Sequence, residues 1–190
     1  MKAKGASSPT HSMKEGASRS FSFIEPMKAP PVEKLPEGDW VYEIKFDGYR
    51  ALAFKDGKDV RYLSRNKKPF DYPQLLLALK KLPADRVILD GEIAALDDKG
   101  RSSFQLLQMF KSSGDVPLVY YVFDLLSLEG KDLCGQPLSA RRKLLGNLLK
   151  KPPENIRLSE ELRGSKDDML RVAQEFGLDG LVAKKRNSVY

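Results

Sequence analysis

The chain has 190 residues and a formal net charge of +7, of which +3 lies in the first twenty residues. A single cysteine, Cys134, excludes a disulfide framework or cysteine-held zinc, and a single histidine, His11, argues against histidine catalysis or ligation, so any metal must be held by carboxylates, which favours Mg²⁺ or Mn²⁺. An ordinary apolar fraction, with no membrane-length apolar run and no signal-peptide pattern, points to one generous domain in the cytoplasm, with no membrane partner and a surplus of charge compatible with a polyanion such as nucleic acid.

Residues 1–20 are rich in Ser, Gly, Ala and Lys without an apolar period, and read as a disordered basic arm. Residues 21–36 carry Phe23, Ile24 and Met27 among four prolines, which predicts an extended strap held to a core by those apolar side chains. The run Trp40–Phe54 reads as strand, in which Gly48 allows a turn, a bulge or close approach of a ligand. Period-2 alternation puts Tyr42, Ile44 and Phe46 on a core-facing side and Glu43, Lys45 and Asp47 on the other, with an amine between two carboxylates. Such an amine is either an activated nucleophile or half of a salt bridge. A lysine ammonium titrates near 10.4 (about), so attack at neutral pH needs a lowered pKa or a base. Acidic neighbours push the wrong way, and a metal ion or cationic ligand complex must supply the opposing push.

Lys55–Lys58 predicts a hairpin turn into a return strand, Val60–Arg65, ended by the cationic cluster Asn66-Lys67-Lys68-Pro69. Pro73–Leu82 predicts a short helix closed by Pro83. Arg86–Leu96 is a further strand whose Ile88, Asp90, Glu92 and Ala94 share a side. Two carboxylates on so apolar a strand need partners, and Gly91 between them permits close backbone approach. After a turn at Asp97–Gly100, Ser102 or Ser103 caps a helix to Lys111 with Phe104, Leu107 and Phe110 inward. Leu118–Leu126 is a buried strand whose Tyr120, Tyr121 and Phe123 read as core rather than as a stacking platform, unless the same pocket is implicated. Pro137–Lys151 is an amphipathic helix capped by Ser139, with Arg141, Arg142 and Lys143 on a basic face. Ile156–Leu158 is a short strand. Ser165 caps a last helix to Phe176, stopped by Gly177, and Leu178–Lys185 forms the final strand, entered through Asp179-Gly180.

Lys45, the carboxylates Asp90, Glu92 and Asp179, and the cations Arg50, Arg65 and Lys184 together describe nucleotidyl transfer. The amine attacks an α-phosphorus, a divalent cation shields charge, and pyrophosphate leaves. On the same residues the chain resembles a known family. Lys45-Phe46-Asp47-Gly48-Tyr49-Arg50 is similar to the Lys-x-Asp-Gly-x-Arg signature of covalent nucleotidyltransferases. Leu63–Asn66, Leu89–Ile93, Tyr121–Asp124 and Asp179–Lys184 follow in the order of ATP-dependent DNA ligases. Phe23–Ala29 further resembles the ligase domain of the bacterial ligase D type.

The resemblance implies an α+β, ATP-grasp-like adenylation domain over residues 21–190, with antiparallel sheets and flanking helices around a nucleotide cleft. It implies ATP as AMP donor, Mg²⁺ or Mn²⁺, and Lys45 as the nucleophile that becomes lysyl-AMP. Glu43 would sit by the adenine with the Ile44 backbone, Arg50 and Arg65 would contact ribose or phosphate, and Phe123 would stack on the base. Glu92 would serve the ribose or metal side, Asp179 the metal, and Lys184 a phosphate. The implied setting is a monomer in the bacterial cytoplasm or nucleoid, acting on nicked or broken duplex DNA beside polymerase and nuclease domains and an end-binding protein. The chain departs from the family in two ways. Asp179 stands where the family carries Glu, and the downstream Lys-x-Lys motif and oligonucleotide-binding domain are not in these residues, so nick sealing by this stretch alone is not expected. A capping-type nucleotidyltransferase or RNA ligase, or an ATP/DNA-binding module that forms no adduct, are the alternatives.

Overall fold

The computed structural model describes residues 22–113 and 116–190, and the arm expected over residues 1–20 lies outside them. Its main departure from expectation is at Trp40–Phe54, which forms two strands, β1 (Trp40–Ile44) and β2 (Tyr49–Asp56), in different sheets. The ladder of β1 closes where the Lys45 N–H donates to the Gly180 carbonyl at 3.0 Å. Three residues on, a Cβ at Gly48 would lie 2.1 Å from the Ile93 carbonyl oxygen, so only glycine lets the chain pass this close to the neighbouring strand. The expected alternation therefore stops at Ile44. Val41, Tyr42 and Glu43 are all buried, so β1 is covered on both sides. Asp47 is turned away: its Oδ2 accepts from the Phe104 N–H at 2.8 Å and its own N–H donates to Ser102 Oγ.

The larger sheet continues with β3 (Asp59–Ser64), β4 (Pro69–Phe70), β5 (Arg86–Ala95), β6 (Leu118–Leu128), β7 (Lys131–Asp132) and β8 (Ile156–Leu158). Its order is β4-β3-β2-β5-β6-β7, antiparallel throughout, and β8 adds to β6 in parallel. The expected hairpin turn between β2 and β3 holds, with Gly57 at φ +59°. The smaller sheet pairs β1 with β9 (Leu181–Lys185), antiparallel. The helices are α1 (Pro73–Lys80), α2 (Phe104–Ser113), α3 (Leu138–Leu148) and α4 (Lys166–Glu175). This is the α+β arrangement expected.

The main core lies on one face of the large sheet, where Leu75 and Leu79 of α1, Leu107 of α2 and Leu145 of α3 meet Tyr62, Leu89, Tyr120 and Leu125. Tyr120 is fully buried, and its hydroxyl donates toward the carbonyls of Ala51 and Leu89. A Cβ at Gly91 would come within 2.4 Å of the Tyr121 carbonyl and 2.6 Å of the Tyr120 ring, which accounts for the glycine in the middle of β5. A smaller cluster of Leu52, Phe54, Ile88 and Leu126 takes Phe23 and Ile24 of the N-terminal strap. Met27 does not bury as expected. It is 48% exposed, and its carbonyl accepts from Arg50 Nη1 at 2.7 Å, so a main-chain contact holds the strap there.

Helix ends divide into those capped locally and those capped by distant chain. Ser165 Oγ accepts from the Asp168 N–H, with Asp167 and Asp168 in the first turn, as expected. Ser165→Ala should cost about 1 kcal/mol, read as a lowered urea midpoint. Ser139 does not cap α3. The N-cap is Pro137, and the first free N–H groups, of Leu138 and Ser139, donate to the carbonyls of Ser188 and Arg186 just beyond β9. The C-terminal segment thus does what a local side chain would otherwise do.

Candidate active site

Between the two sheets, α4 and the strap is a cleft of about 1180 Å³. Lys45 enters it from the corner between β1 and β2, about half exposed, and its Nζ bonds Asp179 Oδ2 at 2.8 Å. The carboxylate that holds the amine therefore comes from 134 residues away, not from Glu43 or Asp47 as the strand alternation predicts. Asp179 is positioned by the β1–β9 pairing together with Gly180, whose φ is +136°. Ile44, opposite Leu181 in that ladder, also lines the cleft.

Arg50 projects from β2, where Asp90 receives Nε at 2.9 Å and Nη2 at 2.6 Å. Asp90 is fully buried and also accepts from the Tyr190 hydroxyl at 2.7 Å, which answers the need for a partner. The Arg50 guanidinium lies 5.0 Å from the ring centroid of Phe123, and Lys184 Nζ lies 4.2 Å from the same centroid. Phe123 faces the cleft and Tyr121 is half-buried against the Phe46 ring, so of the three β6 aromatics only Tyr120 is core. Lys184 Nζ also donates to Glu43 Oε2 at 3.0 Å, and burial pulls the Lys184 pKa down against the pull of Glu43. Glu43 is 1% exposed, and its carboxylate accepts in addition from Arg142 Nη1 and Ser159 Oγ, both at 2.6 Å.

Glu92 is opposite Arg50 in the β2–β5 register and lines the cleft. Removal from water pushes its pKa up to about 8 from an ordinary 4.5, partly opposed by Arg50 and Lys45. A raised carboxyl pKa means the folded state keeps the proton longer than the unfolded one. The group therefore favours folding most below pH 4.5, and stability falls as the pH rises toward 8. Glu92→Gln, which carries no charge at any pH, should match the parent in Tm near pH 5 and melt above it by several degrees near pH 8 (roughly 2–4 °C per kcal/mol). A Tm difference that does not change with pH would contradict the burial of this carboxyl.

Among the described residues no group of three or more His, Cys, Asp or Glu converges as a ready metal cage. The donor set nonetheless suits Mg²⁺, which takes one or two carboxylates and completes its shell with water and substrate phosphates. Glu92 and Asp179 both line the cleft around Lys45. Arg65 is not brought to the site. It lies exposed in the turn after β3, outside the cleft lining.

The sequence does not single out Arg142, Ser159 or Tyr190 for the site, and it places Arg141 and Arg142 on a basic helix face. Arg141 is 1% exposed and forks onto Asp124, with Nε–Oδ1 at 2.8 Å and Nη2–Oδ2 at 2.9 Å. One signal was available: buried residues of α3 fall at Leu138, Arg141, Leu145 and Leu148, a helical spacing that includes the arginine. Nothing local marks Ser159 or Tyr190.

The family model for the ATP-dependent DNA ligase domain matches residues 25–190. The multifunctional non-homologous end joining protein LigD of Pseudomonas aeruginosa is 38% identical over 172 residues, which cover 88% of this chain and 20% of that protein. DNA ligase C1 of Mycolicibacterium smegmatis is 34% identical, covering 88% of this chain and 53% of that protein. The solved ligase domain of Mycobacterium tuberculosis LigD superposes with a TM-score of 0.70 at 37% identity over 80% of this chain and 50% of that one. Mycobacterial DNA ligase D complexed with ATP and MES gives 0.68 at 35% identity, again over 80% of this chain and 50% of that one. The chain spans about a fifth of the LigD relative and about half of each solved ligase chain.

Proposed function

We propose, because this chain belongs to the ATP-dependent DNA ligase domain family, that it is the adenylation domain of a ligase D-type enzyme, and that Lys45 takes AMP from ATP as the first step of joining nicked or broken DNA. The observation that carries the reading is the Lys45 amine in the mouth of the cleft, 2.8 Å from Asp179, with Phe123, Arg50 and Lys184 around the same space. An amine that keeps a carboxylate acceptor in hydrogen-bond reach has somewhere to send a proton as it attacks.

In the step, Lys45 Nζ gives up protons toward Asp179 and solvent, and its freed electron pair forms the N–P bond to the α-phosphorus. The bond from that phosphorus to the bridging oxygen breaks, and pyrophosphate departs with the electrons. Phe123 offers a ring face for the base, Ile44 main chain borders it, and Arg50 and Lys184 bring positive charge to ribose and phosphate oxygens. A divalent cation, when bound by Glu92, Asp179 and phosphate oxygens, supplies charge shielding for the leaving pyrophosphate. The DNA partner, the accompanying polymerase and nuclease domains, an end-binding protein and a bacterial cytoplasmic setting belong to the same proposal. The names of the LigD relatives support it. No helix among the described residues is long and apolar enough to cross a membrane.

Intact mass before and after incubation with ATP and Mg²⁺, then with pyrophosphate, tests the reading. The expected result is a gain of one AMP on Lys45 that pyrophosphate removes. GTP run in parallel separates a capping-type enzyme, and saturable ATP binding without any adduct would overturn the catalytic assignment.

A further inference from the structure

Glu43 poses an electrostatic problem for a site that receives a polyphosphate. It is a buried carboxylate bonded directly to Lys184, and a lone carboxylate there would cancel the charge that Lys184 brings. It is not alone. Arg142 Nη1 donates to Oε1 at 2.6 Å, and Ser159 Oγ donates to Oε2 at 2.6 Å. Arg142 Nη2 also donates to the Ser159 carbonyl at 3.0 Å, which locks the guanidinium to the same loop after β8. Arg142 has a side chain only 12% exposed, and neither it nor Ser159 lines the cleft. Both stand behind Glu43, where no nucleotide atom reaches them.

We infer that Arg142 is a positioning residue for nucleotide binding: from behind the cleft it neutralises and fixes Glu43, so that the Lys184 ammonium stays above the Phe123 ring with its charge available to phosphate. The three side chains carry two positive charges and one negative. The group therefore presents a net single positive charge to the cleft, and removing Arg142 leaves it neutral. This rests on the nucleotide-binding reading above and adds to it a residue on α3 that touches no ligand. Lys184 alone, without Arg142, is half of a closed ion pair.

The test separates phosphate recognition from base recognition. Binding of ATP and of adenosine is measured by calorimetry with divalent cations chelated, so that no adduct forms. Arg142→Met is expected to weaken ATP binding on the order of tenfold, the scale of one unit charge about 12 Å away at an effective dielectric near 20, while adenosine changes by less than about twofold. Arg142→Lys should retain most of the preference for ATP. Arg142→Met combined with Glu43→Gln removes the carboxylate along with its partner, and should return the ATP-over-adenosine ratio to the parent value. Equal losses for the two ligands, or no recovery in the double variant, would overturn the inference. If Arg142→Met alone does not fold, the Arg142→Met/Glu43→Gln double variant, which keeps the single positive charge of Lys184, and Arg142→Lys still decide it. A parent protein that binds no ATP at all would instead sink the function on which the inference depends.

Discussion

Lys45→Ala protein incubated with ATP and Mg²⁺ is expected to show no covalent AMP, a loss of at least about a thousandfold against a parent that gains one AMP per chain. Among the described residues, Lys45 carries the only amine in the corner between β1 and β2, so without it no group there can form a phosphoramidate. Lys45→Arg should be equally inactive, because a guanidinium does not give up its proton in a protein. Non-covalent ATP binding should persist in both variants, since Phe123, Arg50 and Lys184 are untouched. Intact mass and peptide mapping read the first result, calorimetry the second. AMP found on any other residue of Lys45→Ala protein would remove Lys45 from its role.

The second large effect is structural. Arg141→Ala is expected to destabilise the fold by about 3–5 kcal/mol, because Asp124 is left buried without its counter-charge. Arg141 does more than pair with Asp124. Its Nη1 also donates to the carbonyls of Gln136 and Ser188, so one side chain ties β6, the entry to α3 and the turn after β9 together. For a chain of this length the loss corresponds to a fall in Tm of roughly 10 °C. Arg141→Met with Asp124→Leu should recover part of it, since removing both charges leaves no charge unpaired, while the Gln136 carbonyl and the Leu125 N–H lose a side-chain partner. Thermal unfolding of the two variants beside the parent gives the comparison. A single variant within about 1 kcal/mol of the parent would mean that water reaches Asp124.

Much of the local structure was legible because its causes are local. The β2–β3 hairpin follows from Gly57, which supplies the φ of +59° that a tight turn needs. Helix α4 follows from Ser165 at its cap, and from Gly177 at φ +60° just past its end. The chain of β5 could be read from its apolar run, and the oddity of Asp90 and Glu92 on it demanded partners, which Asp90 finds in Arg50 and Tyr190. Two readings failed for one reason. Trp40–Phe54 has the composition of one strand, and although Gly48 allows a turn or a bulge, nothing within the run tells that the Ile93 carbonyl will crowd that glycine and that the run will divide between two sheets. Arg141 and Arg142 read as part of a basic helix face, and nothing beside them announces the carboxylates of Asp124 and Glu43.

The same division runs through the site. By itself the sequence named the residues proposed to carry the chemistry, Lys45, Glu92, Phe123, Asp179 and Lys184, through short motifs that resemble those of a known family, and all five line the cleft. The α+β class came with the same resemblance, while hydrophobic period and turn residues, which act over a few positions, marked the individual strands and helices. Only the tertiary structure decided who pairs with whom. It placed Asp179 on Lys45, Asp90 and Tyr190 on Arg50, and Arg142 and Ser159 on Glu43, and it left Arg65 outside the cleft. The physical reason is range: turns, caps and periodicity arise between residues close in the chain. A buried charge instead takes whatever opposite charge or hydrogen-bond donor the packing of the sheets brings within about 3 Å.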